Sequence, residues 1–117
     1  MPNRSPITTH VLDTQRGRPA AGVAVVLEVE QPDRSWREIA RDATTADGRA
    51  EALLSAGSRA TPGRYRLTFD TGAYFAALDL PTFYPSVSIT FEVASGDEHY
   101  HVPLLLASHG YTTYRGS

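Results

Sequence analysis

Apolar residues recur at every second position through three stretches of this chain, and a period of two marks a β-strand with one dry face. Val23, Val25, Leu27 and Val29 alternate with Ala24, Val26, Glu28 and Glu30. Tyr65, Leu67 and Phe69 alternate with Arg64, Arg66 and Thr68, and Val87, Ile89, Phe91 and Val93 with Ser86, Ser88, Thr90 and Glu92. Less regular stretches predict further strands over Ile7–Leu12, Trp36–Thr44, Arg49–Leu54, Tyr100–Leu106 and Tyr111–Tyr114. Some eight short strands of this kind predict an all-β, antiparallel two-sheet sandwich.

Turn chemistry separates the stretches: Arg16-Gly17-Arg18-Pro19, Gln31-Pro32-Asp33, Asp47-Gly48, Thr61-Pro62-Gly63 and Ser95-Gly96-Asp97. Asp47-Gly48 is the strongest hairpin signal. Gly72 to Leu80 is the one helical candidate, because Tyr74, Phe75, Ala77 and Leu78 suit one face of two turns before Pro81 stops them. Pro103 lacks a ladder donor and predicts an edge or a bulge at its position.

The 117 residues suffice for a single domain over 1–117, with 1–6 read as a disordered tail. Cysteine is absent, which removes disulfides, thiolate catalysis and Cys-based metal sites. Burial alone must then stabilise the chain, with oligomerisation a way to complete it. The net charge is −2 and every basic residue is arginine, so there is no basic footprint for nucleic acid or an anionic membrane. No apolar run approaches the roughly 20 residues that span a bilayer. The opening Met1-Pro2-Asn3-Arg4-Ser5-Pro6 lacks the apolar core of a secretory signal, and a cytoplasmic location is expected.

Chemistry must therefore come from His, Arg, Tyr, Ser and carboxylates. His10 lies in the first strand, while His99 and His101 are two apart and share a strand face. With His10 these two could form a three-histidine metal site, although nothing in the spacing demands one. His109, beside Gly110 in a turn, reads as solvent-exposed. Arg49 opens the strand after Asp47-Gly48. Tyr114-Arg115-Gly116-Ser117 packs a phenol, a guanidinium, a hydroxyl and the terminal carboxylate into four residues. Trp36 and Phe83-Tyr84-Pro85 are packing residues by default. Asp13, Asp79 and Glu92 form no spaced acid/base pair.

The joint pattern resembles the transthyretin-like 5-hydroxyisourate hydrolases of purine catabolism. The resemblance is carried by Thr9-His10-Val11-Leu12-Asp13 with Gly17 and Pro19-Ala20, by Asp47-Gly48-Arg49, and by Phe83-Tyr84-Pro85. His99-Tyr100-His101-Val102-Pro103-Leu104-Leu105-Leu106 and the terminal Tyr114-Arg115-Gly116-Ser117 complete it. It runs from Ile7 to the last residue. Ala107-Ser108-His109-Gly110 departs from the Ser-Pro turn common in that family.

That resemblance implies a transthyretin-like sandwich of two four-stranded sheets with one short helix, assembled as a homotetramer. Active sites are expected at the dimer–dimer interface, in the channel that holds thyroid hormone in transthyretin. The implied catalytic residues are His10, Arg49 and His101, with Tyr114, Arg115, Gly116 and Ser117 lining the substrate pocket. No metal or organic cofactor is implied, and the role of His99 is open. The implied reaction in urate degradation is hydrolysis of 5-hydroxyisourate to 2-oxo-4-hydroxy-4-carboxy-5-ureidoimidazoline. One of His10 and His101 would activate water, and Arg49 would stabilise the oxyanion. The alternative is a carrier of small hydrophobic ligands on the same fold, because a fold does not dictate a function.

Overall fold

The period-two stretches become strands, and long-range pairing decides which sheet each strand joins. A computed structural model describes residues 4–117. In chain order its elements are β1 (Ile7–Asp13), β2 (Arg18–Pro19), β3 (Ala24–Glu30), β4 (Trp36–Ala43), β5 (Arg49–Ala50), β6 (Gly63–Phe69), α1 (Thr71–Ala76), β7 (Val87–Val93), β8 (Tyr100–Ala107) and β9 (Gly110–Thr113). One sheet has the order β4-β3-β6-β7, and the other runs β2-β1-β8-β9 with β5 also paired to β1.

The expected two-sheet sandwich is therefore present, with five strands rather than four in one sheet. The fifth arises because β2 and β5 share one edge of β1. β2 pairs with Leu12 and Asp13, and β5 with Thr9 and His10. Two short segments thus occupy one strand position. The pairing is not wholly antiparallel either, since β1 and β8 run parallel, with Thr8 opposite His101 and His10 opposite Pro103.

Asp47-Gly48 makes a tight turn but not a hairpin. The Gly48 N–H donates to the Thr45 carbonyl at 2.9 Å, and the Thr45 N–H to the Arg49 carbonyl at 2.8 Å. The strands on either side belong to different sheets, so this turn carries the chain across the sandwich. The strand expected over Arg49–Leu54 stops after Ala50. Beyond it, Ser5 Oγ accepts the Leu54 N–H at 3.1 Å, and Leu53 enters the core.

Ser5 and Pro6, expected in a tail, are buried. Ser5 Oγ donates to the Ile7 carbonyl at 2.6 Å, and the Tyr100 N–H donates to that of Pro6 at 2.8 Å. Residues 1–3 of that expected tail lie outside the described residues. The helix is shorter than its apolar pattern predicts. Asp70 caps it, with Oδ1 accepting the Ala73 N–H at 3.0 Å. It ends at Ala76, and Asp79 adopts a left-handed conformation at φ 56° before Pro81 is reached.

The core lies between the sheets. Val25, Leu27, Leu67 and Phe69 from one sheet meet Val11, Leu104 and Leu106 from the other, all fully buried. Each such side chain contributes roughly 1.5–3 kcal/mol by leaving water. Asp13 also points inward and is satisfied there. Tyr74 Oη donates to its Oδ2 at 2.6 Å and Arg16 Nε at 3.0 Å, while the backbone N–H groups of Gln15 and Arg16 reach Oδ1. Burial works against the Asp13 carboxylate, but these donors together hold its pKa below the usual value.

Candidate active site

The alternation that sends Ile7, Thr9 and Val11 into the core sends Thr8 and His10 to the outer face of the five-stranded sheet. On β8 the same rule sends Tyr100, Val102 and Leu104 into the core and sets His101 and Pro103 on the outer face, where Pro103 too is buried. Parallel register then sets His101 beside Thr8 and Pro103 beside His10. β5 adds Arg49 on the other side of His10. His10, Arg49 and His101, far apart in sequence, thus come to one face.

His10 and Arg49 are direct cross-strand partners. The Arg49 carbonyl accepts from the Thr45 N–H and its own N–H meets Thr45 Oγ1 at 3.4 Å, so the pair exchanges no backbone hydrogen bonds. In such pairs the side chains lie closest, with Cα atoms about 4.5 Å apart. Gly48 makes this placement feasible. Its φ is +80°, its carbonyl accepts the Val11 N–H at 2.7 Å, and a Cβ there would strike the Val11 carbonyl.

The His10 ring is anchored by the turn itself. Nε2 lies 2.8 Å from the Asp47 carbonyl oxygen. A carbonyl only accepts, so Nε2 carries the hydrogen, and the neutral ring keeps its lone pair on Nδ1. Arg49 sits between two carboxylates, with Asp47 Oδ2 at 3.9 Å and Glu51 Oε2 at 3.7 Å. Those contacts are loose, and the guanidinium retains donors for a ligand. Thr45 Oγ1 donates to Asp47 at 2.6 Å and holds that carboxylate below its ordinary range.

His101 is half-buried. Its Nδ1 lies 2.8 Å from Thr8 Oγ1, and His99 Nε2 approaches the same hydroxyl at 3.0 Å. The two rings stack at 6.3 Å between centroids. Burial lowers the His101 pKa, and the Arg49 guanidinium, His99 and His10 lower it further against the opposing pull of Glu51. Burial likewise lowers that of His99, aided by Arg4 and Arg115. Both imidazoles therefore stay neutral to a lower pH than a free histidine.

The tail returns to this face at Gly116, whose N–H donates to the His101 carbonyl at 2.8 Å. A Cβ on Gly116 would stand 2.7 Å from His101 Cδ2 and 3.2 Å from Pro103 Cγ, so only glycine lets the tail lie so close. Pro103 sits in the gap between that bridge and the Leu104–Thr113 end of the β8–β9 ladder. Arg115 is directed elsewhere. Its guanidinium donates to Glu98 at 3.0 Å and to the His99 carbonyl at 3.2 Å, and lies 4.5 Å over the Tyr100 ring. Tyr114 and Arg115 line a cleft of about 280 Å³ with Ile89, Phe91, Tyr100 and Val102, and that lining contains none of His10, Arg49 and His101. Tyr114 and Ser117 are exposed.

His109 is exposed in the β8–β9 turn, where Ser108 Oγ meets its Nδ1 at 2.9 Å. His10, His99 and His101 spend a nitrogen each on Asp47 or Thr8, and among the described residues no group of three His, Cys, Asp or Glu side chains is placed to hold a metal ion. Sequence reading overlooked Thr8 and the Asp47 carbonyl. Thr8 was available by the period-two rule, since it shares a face with His10. The Asp47 contact depends on a crossing between sheets that no local pattern encodes.

Residues 7–116 match the model of the HIUase/Transthyretin family. The chain is 47% identical over 111 residues to the 5-hydroxyisourate hydrolase of Salmonella dublin, covering 95% of this chain and 80% of that protein. It is 45% identical over 114 residues to the mouse 5-hydroxyisourate hydrolase, covering 97% and 96%. Among solved structures, sea bream transthyretin in complex with thyroxine superposes with a TM-score of 0.90 at 31% identity, covering 96% of this chain and 95% of that one. Klebsiella pneumoniae 5-hydroxyisourate hydrolase superposes with a TM-score of 0.82 at 37% identity, covering 95% and 97%. The sandwich is thus transthyretin-like, and the chain belongs to the HIUase/transthyretin family.

Proposed function

We propose that this protein is a hydrolase of 5-hydroxyisourate in urate degradation, opening the six-membered ring lactam to give 2-oxo-4-hydroxy-4-carboxy-5-ureidoimidazoline. The observation that carries this reading is the pairing of His10 with Arg49 across one strand edge, on the sheet face that also holds His101. Relatives named for the same reaction support it at 45–47% identity.

Each imidazole has one nitrogen anchored and one free: Nδ1 on His10 and Nε2 on His101. A neutral imidazole with an accessible lone pair is suited to take a proton from water near neutrality. In the proposed reaction one ring takes that proton as the water oxygen bonds to the lactam carbonyl carbon. The tetrahedral oxyanion is held by the Arg49 fork of donors. The carbon–nitrogen bond then breaks, and the proton first taken from water passes by way of the other ring to the leaving nitrogen, so both imidazoles end neutral. The Ser117 hydroxyl positions substrate, and Gly116 forms the wall against the His101 ring, while Tyr114 and Arg115 shape the neighbouring cleft. No cofactor takes part.

His10, Arg49 and His101 lie on an open sheet face, and a homotetramer would enclose them by laying a second dimer across it. Among the described residues no helix is long and apolar enough to cross a membrane. A cysteine-free chain suits the reducing cytoplasm, the location proposed.

The test follows loss of 5-hydroxyisourate absorbance with the wild type and with His10→Asn, Arg49→Glu and His101→Asn. Turnover by the wild type and its loss in the variants is expected; wild-type rates in all three would overturn the residue assignment. The carrier reading draws on the close superposition with thyroxine-bound transthyretin. Tight binding of an iodinated aromatic with no turnover would favour it.

A further inference from the structure

Thr8 has no part in the chemistry just described, yet its hydroxyl is the meeting point of two histidines. The residue is 1% exposed, at the centre of the five-stranded sheet. Oγ1 lies 2.8 Å from His101 Nδ1 and 3.0 Å from His99 Nε2. Among the described residues no buried side-chain nitrogen or oxygen lacks a partner.

A hydroxyl has one hydrogen to give and lone pairs to accept with. A buried hydroxyl hydrogen is costly to leave unpaired, so it goes to one of the two rings. That ring must present a bare nitrogen, and the other must present an N–H. If the hydrogen goes to His101 Nδ1, His101 carries its own hydrogen on Nε2, and His99 donates from Nε2. If it goes to His99 Nε2, His99 is protonated on Nδ1, and His101 donates from Nδ1. In their neutral forms the rings therefore share one tautomer, both Nε2–H or both Nδ1–H. A mixed pair would leave two hydrogens, or two lone pairs, facing one another across the hydroxyl.

We propose that Thr8 is a positioning residue that ties the nitrogen His101 presents to the sheet face it shares with His10 and Arg49 to the tautomer of His99. His99 and Thr8 act through His101 and touch no reacting atom. In the Nδ1–H pair His101 presents a bare Nε2 to that face and can gain a proton there with the Thr8 hydrogen already on His99. In the Nε2–H pair its bare nitrogen is Nδ1, so a proton gained there obliges Thr8 to turn its hydrogen to His99. A charged His101 is thereby compatible only with a neutral His99 whose Nε2 is bare. The bond formed is Nε2–H in the first case and Nδ1–H in the second, and the Thr8 O–H stays intact in both, rotating only in the second. In that second case His99 adopts the tautomer with a bare Nε2 by exchanging protons with solvent, to which its partly exposed ring has access.

The importance of this link for turnover rests on the hydrolase reading, but the link itself can be tested without activity. Nitrogen-15 NMR of the ring nitrogens in the intact protein, above the pH at which either ring is charged, reads the tautomers of His99 and His101. Matching tautomers are expected in the wild type, and one ring on Nε2–H with the other on Nδ1–H would overturn the proposal. Thr8→Val keeps the shape and removes the hydroxyl. It is expected to mix the His101 tautomers and lower kcat at least about tenfold, with KM within about twofold, since loss of a tautomer-holding partner can cost far more. Thr8→Ser is expected to restore both readouts.

If Thr8→Val does not fold, His99→Ala asks the same question from the partly exposed end and is expected to shift the His101 tautomer ratio. An unchanged ratio in each folded variant would overturn the proposal. A wild type that shows matched tautomers but does not turn over 5-hydroxyisourate would instead count against the hydrolase reading and leave the Thr8 link standing.

Discussion

Gly116 rests on the edge of the His101 ring, tied there by a 2.8 Å hydrogen bond from its N–H to the His101 carbonyl, with room for a hydrogen but not for a methyl group. The tail thus reaches the imidazole through the one residue in it that has no side chain. Arg115, its neighbour, is spent on Glu98 and the His99 carbonyl.

Gly116→Ala would place a carbon 2.7 Å from His101 Cδ2, so either the tail lifts or the ring turns. We expect kcat/KM to fall about 10- to 100-fold, because displacements near 1 Å at a catalytic group carry costs of that order. The urea unfolding midpoint should barely move, since Gly116 lies outside the core cluster. Steady-state kinetics and a denaturation curve on one sample check both halves.

Gly48→Ala should act on the fold and the site together. The position needs φ +80°, and a Cβ would strike the Val11 carbonyl. A loss of roughly 2 kcal/mol or more is expected from denaturant unfolding. Activity should fall in the remaining folded protein as Arg49 leaves its place beside His10.

Tyr74→Phe removes the hydroxyl that donates to buried Asp13 at 2.6 Å. The cost should be about 1–3 kcal/mol, because part of a buried carboxylate is left without its donor. The folded pKa of Asp13 lies below 3.8, so its stabilisation is fully present above that value and is lost as pH falls through the folded pKa. Asp13→Asn should flatten this acid limb in a series of unfolding curves from pH 5 downward.

His101 should set an acidic limb of kcat/KM below pH 6.5, since burial first and the Arg49 guanidinium second lower its pKa from that value. His99 and His10 push the same way, and Glu51 opposes them. Arg49→Gln should raise the His101 pKa toward the ordinary value, which proton NMR titration of the ring reads even in an inactive variant. The stability sign follows: as pH falls below about 6.5 the unfolded chain takes up the proton first, so His101 costs stability until the folded value is passed.

The period of two was enough to place the long strands, because it is local to a few residues, but it missed β2 and overran β5. Val23 to Val29 and Val87 to Val93 show it directly, since alternation there reports which side chains face the dry interior. His10, Arg49, His101 and the tail were legible as a set only through resemblance to a family. No spacing along the chain states that positions 10, 49 and 101 share one face.

Tertiary structure decided what depends on pairing between distant segments. It ran β1 parallel to β8, and it divided one edge of β1 between β2 and β5. It also turned Asp47-Gly48 from an expected hairpin into a crossing between sheets, and that crossing delivers both Arg49 and the Asp47 carbonyl to His10. Thr8 looked unremarkable in sequence, a small polar residue in a strand. Only the register that sets it beside His101 makes its hydroxyl a junction between two imidazoles. Local sequence dictates which face a side chain takes, because backbone sterics act over neighbours. Which side chains meet on that face is settled by long-range register, through the burial and hydrogen bonding of the whole sheet.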